Sequence, residues 1–484
     1  MTERPAPPAG PYLVAGLARS GQAAARALVA RAGSEPISAW DGRVSPRTRR
    51  AARELLAAGV ECELGGDGAA LLRRARCVVK SPGIAPAVPL LAEATRRGLV
   101  VIDELELGWR LDRRPTIAIT GTNGKSTVAE LVRAVLERAG RRPAIAGNTT
   151  FGPPLSGLPA DAADVVVAEV SSYQLEGSPS FLPDVAVVTN LTTDHLERHG
   201  TLRSYGEVKR RIALRDGAVA PSVVIGAGGA YGRTLAADCA ARGAAVSTYG
   251  RGRGARYRLR GWRWARGRAE VEVDVAGEPL RVLTALPGEH NALNALAALA
   301  VADAVEVPRA VTLEALCDTP APPGRLEAID EGQPFEVLVD YAHNPDGIRA
   351  GLRAGRALLD DRPEASLRVV ACALNVLLTR QRRQMGRAAA EASDDLVLTT
   401  DRLQSHEPVH ELPAGLEDGA REAGGCEVVP DRAEALARVL RRAEPGDVVM
   451  VLGRGERSAA IDAQGRRVPF DDREEARRIL RAMA

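Results

Sequence analysis

The stretch from Arg114 to Arg141, RPTIAITGTNGKSTVAELVRAVLERAGR, constrains this chain more than any other. The apolar run Ile117-Ala118-Ile119 has the character of a buried parallel strand. The chain then breaks into Gly121-Thr122-Asn123-Gly124-Lys125-Ser126-Thr127, and apolar residues return at helical spacing at Val128, Leu131, Val132, Val135 and Leu136. A glycine loop that opens a helix leaves backbone N–H groups free where the helix dipole favours an anion. The lysine that follows meets phosphate charge, and the hydroxyl can take Mg2+. The pattern departs from G-x-x-x-x-G-K-[ST] only in having Ile119 at its first glycine. A plain glycine turn would not need the strand before, the helix after and Lys-Ser-Thr together, so residues 121–127 read as an ATP cradle.

A length of 484 residues exceeds a single core and suggests three domains. The net charge of +3 gives no global field that would mark a nucleic-acid protein, and the many arginines alongside few lysines fit a GC-rich genome. Six scattered cysteines (Cys62, Cys77, Cys239, Cys317, Cys372, Cys426) form no C-x-x-C pair, so neither zinc nor a disulfide framework is expected. No apolar run approaches the ~18 residues that span a bilayer, and MTERPAPPAGPY is not a secretory signal. A cytoplasmic protein without membrane insertion, acting as a monomer, is the expectation.

The loop T-G-T-N-G-K-S-T resembles that of the Mur ligase family, enzymes that add amino acids to the peptidoglycan precursor. The N-terminal third alternates strands and helices: Tyr12 to Gly16, a helix to Ala30, Pro36 to Trp40, and a strand at Cys77 leading into Val78-Val79-Lys80-Ser81-Pro82-Gly83-Ile84. This is a small Rossmann-like pattern, but Gly16 and Gly21 do not make G-x-G-x-x-G, so a dinucleotide is not expected. G-L-A-R-S-G, an acidic residue closing the second strand and V-K-S-P-G-I are similar to the UDP-binding domain of the MurD-like, glutamate-adding branch. The resemblance implies that Ser20 and the Gly16–Gly21 loop lie near a diphosphate, with Asp41, Arg43, Ser81 and Gly83 near uridine. Asp41 could equally be a turn cap.

Further on, Asn148 stands in G-N-T-T where the family carries G-N-I-G. The strand from Asp164 delivers Glu169 at its carboxyl end, where a buried carboxylate calls for a counter-charge such as a metal ion. E-V-S-S-Y-Q-L-E, with Ser171 and Gln174, is close to the family motif. A strand over Val185 to Asn190 leads to Asp194-His195. His199 reads as a surface or capping histidine, and Lys209, on a helix, would in isolation be a solvated cation. The resemblance implies two Mg2+, one held by Ser126 and Glu169 and one by His195 and a carbamylated Lys209. The segment from Arg251 to Val275 alternates arginine with Tyr257, Leu259, Trp262 and Trp264. Nucleic-acid binding is one reading, but the continuation into E-V-E-V-D-V favours an antiparallel hairpin. In H-N-A-L-N, Asn291 and Asn294 lie three apart on one helix face, and by resemblance they reach the adenine side of ATP.

The linker P-A-P-P-G precedes Arg325, whose family counterpart reaches the ATP phosphates. The strand from Phe335 ends in Asp340-Tyr341-Ala342-His343-Asn344-Pro345, a motif of other branches of the family. The glutamate-adding branch has lysine and threonine there. Gly453-Arg454-Gly455-Glu456 and Phe470-Asp471-Asp472-Arg473-Glu474 resemble the diaminopimelate-adding branch, yet that branch's D-N-P-R is replaced by Asp401-Arg402-Leu403-Gln404.

The expectation is an α/β protein of three domains: a Rossmann-like UDP-binding domain (1–112), a central P-loop domain with a parallel sheet plus a small antiparallel sheet (113–319), and a Rossmann-like amino-acid domain (320–484). The implied activity is an ATP-dependent amide ligase adding glutamate, L over D, to UDP-N-acetylmuramoyl-L-alanine through an acyl phosphate. Lys125, Glu169, His195, Lys209, Asn148 and Arg325 would be catalytic, Asp340 would sit at the nucleotide, and Ser171, Gln174, His343 and Asn344 would meet substrate. The alternatives are a D-glutamate ligase, a family ligase for another amino acid, a regulatory P-loop ATPase, or a nucleic-acid-binding ATPase resting on the arginine hairpin.

Overall fold

Three large sheets, beside two small two-stranded ones, follow one another along the chain in a computed structural model that describes residues 4–31, 35–161, 163–373, 377–401, 412–461 and 466–483. The first sheet is wholly parallel. Its spatial order is Glu61–Leu64, Ile37–Asp41, Tyr12–Ala15, Cys77–Lys80, Val100–Asp103. The order reverses at Tyr12–Ala15, so the loops following that strand and Cys77–Lys80 open beside each other, as expected of a binding crevice at a switch point.

The central sheet has nine strands. Six parallel ones run Pro143–Gly147, Val165–Glu169, Thr116–Thr120, Val185–Val188, Ser222–Gly226, Ala245–Gly250. Their valine-rich runs, such as VVVAE and VAVV, are buried throughout, as strands covered on both faces must be. The strand expected to reach Asn190 stops at Val188. The hairpin forms: Tyr257–Ala265 pairs antiparallel with Arg268–Val275, and Glu278–Thr284 extends it. The small antiparallel sheet is continuous with the parallel one, because Tyr249 and Gly250 pair with Tyr257 and Arg258. Tyr257, Leu259, Val271, Val273 and Val275 face the core under helix Glu289–Ala304. Arg251 pairs with Glu289, while Arg263 and Arg281 pair with Glu270. Arg251 and Arg263, two of the arginines that suggested nucleic acid, are thus engaged within the protein.

The third sheet runs Glu327–Ala328, Glu336–Asp340, Val448–Leu452, Leu367–Ala371, Asp395–Leu398, Glu427–Val428, with only the first pair antiparallel. The Arg402 to Gln404 replacement noted above lies outside the described residues. Buried Arg4 crosses from the N-terminal tail to the joint between the first two units. It donates to the carbonyls of Asp112 and Arg114 and pairs with Asp184 at 3.2 Å.

Candidate active site

A cavity of about 790 Å³ lies between the central sheet's carboxyl edge and the third unit. Its floor is the loop 121–127, which joins strand Thr116–Thr120 to helix Lys125–Arg138. Gly124 has φ +84°, and a Cβ there would lie 2.5 Å from Asn294 Oδ1, so only glycine fits. The free N–H groups and positive helix end therefore face the cavity. Lys125 Nζ donates to the carbonyls of Gly121 (3.2 Å) and Thr122 (3.0 Å). Burial lowers its pKa, as does Arg325, against the opposing pull of Glu169 and Asp194. Thr122 and Asn123 are braced by Thr192 and Asn190, and Thr127 is buried in the helix.

Ser126 Oγ donates to Glu169 Oε2 at 2.7 Å, joining two groups 43 residues apart. Asn148 is on the cavity wall, and its backbone N–H donates to the Glu169 carbonyl at 2.7 Å. Asn291 and Asn294 also line the cavity, but they brace it: Asn291 donates to the Pro287 carbonyl, and Asn294 donates to Asn291 while abutting Gly124.

Lys209 corrects the reading of a solvated cation, since it is 1% exposed. Its Nζ donates to the Gly121 carbonyl at 2.7 Å and lies 4.5 Å from the Tyr205 ring centre. Burial, reinforced by Lys125, pushes its pKa well down. The His195 ring packs against Tyr205 too, with centroids 6.0 Å apart, and its Nδ1 is 3.2 Å from the Tyr173 hydroxyl. His199 is not a surface residue: its side chain is 2% exposed and hydrogen-bonds Ser172 at 2.9 Å. Ser171 and Gln174 close a capping box on helix Ser172–Glu176 and are not part of the cavity wall.

The third unit closes over this floor. Arg325 Nη2 reaches to 3.5 Å from Ser126 Oγ, and its guanidinium stacks 4.3 Å from the Tyr341 ring centre. Asp340 accepts from Leu326 and Ala342 N–H groups, and burial raises its pKa. Asn344 caps helix Pro345–Ala357 and donates to Asn123 Oδ1 at 2.9 Å and to Asp194 Oδ2 at 3.3 Å. His343, 3.9 Å from Asp194, is pushed down to about 4 by burial and is neutral at pH 7. Burial would raise the Asp194 carboxyl, but neighbouring His195, His343 and Lys125, together with the His195 backbone N–H, hold it low. Sequence reasoning singled out neither Asp194 nor the cavity residues Tyr341 and Glu456, although D-H, D-Y-A-H-N-P and G-R-G-E carried them.

The remaining expected residues gather elsewhere, at the carboxyl edge of the first sheet. Asp41 accepts from the N–H groups of Leu17 (2.8 Å) and Arg43 (2.9 Å), and Ser81 Oγ donates to the Gly16 carbonyl at 3.2 Å. Ser20 lies in the first turn of helix Arg19–Arg31, while Arg43 and Gly83 are exposed. Arg19 ties this edge to the central unit by donating to the carbonyls of Thr149 and Gly152.

Three family profiles match in succession: the Mur ligase MurD-like N-terminal domain over residues 11–103, the Mur ligase middle domain over 119–302, and the Mur ligase glutamate ligase domain over 324–455. The chain belongs to the Mur ligase family. It is 34% identical over 71% of its length to 73% of an Acidobacterium capsulatum UDP-N-acetylmuramoylalanine–D-glutamate ligase. It is 32% identical over 75% of its length to 76% of a Streptomyces coelicolor UDP-N-acetylmuramoyl-L-alanyl-D-glutamate–2,6-diaminopimelate ligase. In fold it is similar to the Thermotoga maritima UDP-N-acetylmuramate–alanine ligase, with TM-score 0.61, 20% identity, and coverage of 98% of this chain and 99% of that one. As a Mur ligase the protein is an ATP- and Mg2+-dependent acid–amino-acid ligase of peptidoglycan precursor synthesis. The Ser126–Glu169 pair fits Mg2+, offering a hydroxyl and a carboxylate beside the phosphate loop. Among the described residues no cluster of three or more His, Cys, Asp or Glu forms, so Mg2+ here would draw other ligands from phosphate and water. Among the described residues no helix is long and apolar enough to cross a membrane.

Proposed function

We propose that this Mur ligase joins glutamate to UDP-N-acetylmuramoyl-L-alanine, preferring L- to D-glutamate. The observation that carries the choice of acceptor is the N-terminal unit: it matches the MurD-like profile, and its Gly16–Gly21 loop, Asp41 and Ser81 converge at the switch point of its sheet. The acceptor would bind within residues 1–112, the nucleotide within 113–319 and the amino acid within 320–484.

The γ-phosphate of ATP would lie at the start of helix Lys125–Arg138, flanked by Lys125 and Arg325, which oppose the charge that develops as the acceptor carboxylate attacks. Ser126 and Glu169 would hold a Mg2+ that adds positive charge beside the phosphates. The amine of the amino acid then attacks the acyl phosphate and phosphate leaves. Closure of the third unit, through Asn344 on Asn123 and Arg325 near Ser126, excludes water from that intermediate.

Lys209 would carry a carbamate and, with His195, hold a second Mg2+. Its support is geometric: the amine is buried with no ion-pair partner among the described residues, and carbamylation converts that isolated amine into an oxygen donor. Carbon-13 NMR of the protein in labelled bicarbonate should show one carbamate that Lys209→Ala abolishes. No such signal would reject the modification.

The preference for the L hand rests on the Asp340–Pro345 turn. The lysine and threonine of the glutamate-adding branch are missing there, His343 is neutral, and Asn344 is committed to a helix cap and the P-loop. Fixed polar anchors cannot serve both enantiomers equally. Offering D-glutamate, L-glutamate, L-lysine and diaminopimelate separately with ATP, Mg2+ and UDP-N-acetylmuramoyl-L-alanine tests the proposal. Turnover should be fastest with L-glutamate. Preference for D-glutamate would overturn the stereochemical part, and use of only the last two would overturn the choice of glutamate.

A further inference from the structure

Where the chain passes from the first unit to the central one, a single guanidinium gathers the polar groups of the crossing. Helix Glu104–Leu111 ends the first unit, and residues 112–115 separate it from strand Thr116–Thr120, which runs straight into the phosphate loop. Arg4, 6% exposed, meets this crossing from far upstream. Its Nη1 donates to the Asp112 carbonyl, and its Nη2 donates to the Arg114 carbonyl at 2.6 Å and to the Thr116 hydroxyl at 3.1 Å. The same Nη2 pairs with Asp184 Oδ2 at 3.2 Å, and that oxygen also accepts the Thr116 N–H at 2.9 Å. Asp184 immediately precedes strand Val185–Val188, which lies beside Thr116–Thr120 in the sheet.

The segment that carries Arg4 is itself fastened. Arg113 donates to the Arg4 carbonyl and Arg110 to the Ala6 carbonyl, each at 3.0 Å, and the Tyr12 hydroxyl donates to the Pro8 carbonyl at 2.6 Å. Pro5, Pro7 and Pro8 fix φ along the segment, so it acts as a stiff strap. The guanidinium lies 5.4 Å from the Trp109 ring centre, and that ring meets Phe181 of the central unit edge-on at 5.6 Å. Along the flank of helix Glu104–Leu111 the central unit is held by Ser156 on Glu104 and by Ser180 on Glu106 and Arg110. The strap holds the end of the helix, where the linker would otherwise pivot. Thr116 and Val185 open their strands, so this pivot sits at the sheet's amino edge, opposite the phosphate loop.

We propose that Arg4 is a positioning residue: by fixing the crossing at residues 112–116, it sets the angle between the unit that holds the acceptor and the unit that holds ATP. This rests on the ligase reading above. An acceptor whose uridine end lies in the first unit and whose carboxylate must meet the γ-phosphate spans both units, so its reach depends on that angle. UDP alone or ADP alone occupies one unit and does not depend on it.

The test uses the full chain. Arg4→Met removes every donor and keeps an unbranched stem, whereas Arg4→Lys keeps a charge for Asp184 and loses the fork. In Arg4→Met the kcat/KM for the acceptor should fall about 10- to 100-fold, the effect of misplacing reacting groups by ~1 Å, while the Kd values for UDP and ADP stay within about threefold of the parent. Arg4→Lys should fall between. Hydrogen exchange read by mass spectrometry should quicken at residues 112–116 in Arg4→Met, with the phosphate loop and the first sheet exchanging as in the parent. Parallel loss of UDP affinity, ADP affinity and turnover would mark a merely structural arginine and overturn the assignment. An acceptor kcat/KM within about threefold of the parent in both variants, or unchanged exchange at residues 112–116, would overturn it as well. An absence of acceptor-dependent ADP release in the unsubstituted protein would instead overturn the ligase reading, and the positioning role with it.

Discussion

Replacing Arg325 by alanine should slow the chemical step without weakening ATP binding to the same degree. The guanidinium belongs to the third unit yet reaches to 3.5 Å from Ser126 Oγ, with Tyr341 stacked 4.3 Å from it and Glu456 at 3.7 Å. Two unit charges ~4 Å apart interact by roughly 4 kcal/mol at an effective dielectric constant near 20. The side chain is 25% exposed, which reduces that figure. Removing one preorganised donor from a developing anion costs about 3–4 kcal/mol, equivalent to ~10²–10³ in kcat. Arg325→Lys should recover part of this, since it keeps the charge and loses the planar fork. The assay is acceptor- and glutamate-dependent ADP release at saturating substrates, beside a thermal melt to confirm folding. ATP should keep its KM within about threefold, because the P-loop contacts lie on the central unit. A kcat within threefold of the parent, or an effect confined to the ATP KM, would refute the role of Arg325 as a clamp on the transferred phosphoryl group.

Asn344→Gly should separate two duties of one side chain. Glycine serves as an N-cap at a cost of only a few tenths of a kcal/mol, so the melting temperature should barely move, whereas loss of the bonds to Asn123 and Asp194 should lower kcat about tenfold. Glu104, buried where helix Glu104–Leu111 meets Ser156, is raised to about 7 by burial, against the opposing hydrogen bonds from Ser156. Because the native state holds that proton more tightly than the unfolded chain, the resulting stability is present at low pH and is lost as pH rises from the ordinary 4.5 through about 7. Urea denaturation across that range should show up to roughly 3 kcal/mol of pH-dependent loss that Glu104→Gln removes. An unchanged slope in the variant would assign the pH dependence to other groups.

What could be read from the sequence was what the chain encodes locally. The P-loop was legible because strand, glycine loop, lysine and helix occupy one continuous stretch, and the hairpin because alternation is a two-residue rule. Lys209 looked solvated because the groups that bury it come from elsewhere: Gly121 is 88 residues away, and helix position alone says nothing of burial. Asn344 looked like a substrate ligand, yet its partner Asn123 lies 221 residues back and only domain closure joins them. Glu456 and Tyr341 lay within motifs already noticed, but their apposition across Gly455 is a property of packing. His199 repeats the error made at Lys209: a commonplace residue type beside charged neighbours concealed a buried ring packed on Tyr205 at 5.1 Å.

In the proposed reaction the acceptor's own carboxylate attacks ATP and then leaves one of its oxygens on the departing phosphate. With both oxygens of the alanyl carboxylate of UDP-N-acetylmuramoyl-L-alanine labelled with oxygen-18, mass spectrometry of the products after turnover with L-glutamate tests it directly. One labelled oxygen should appear in the inorganic phosphate and the other in the new amide. Unlabelled phosphate, with both labels retained in the acceptor, would contradict the acyl-phosphate ligase and leave an ATPase in its place.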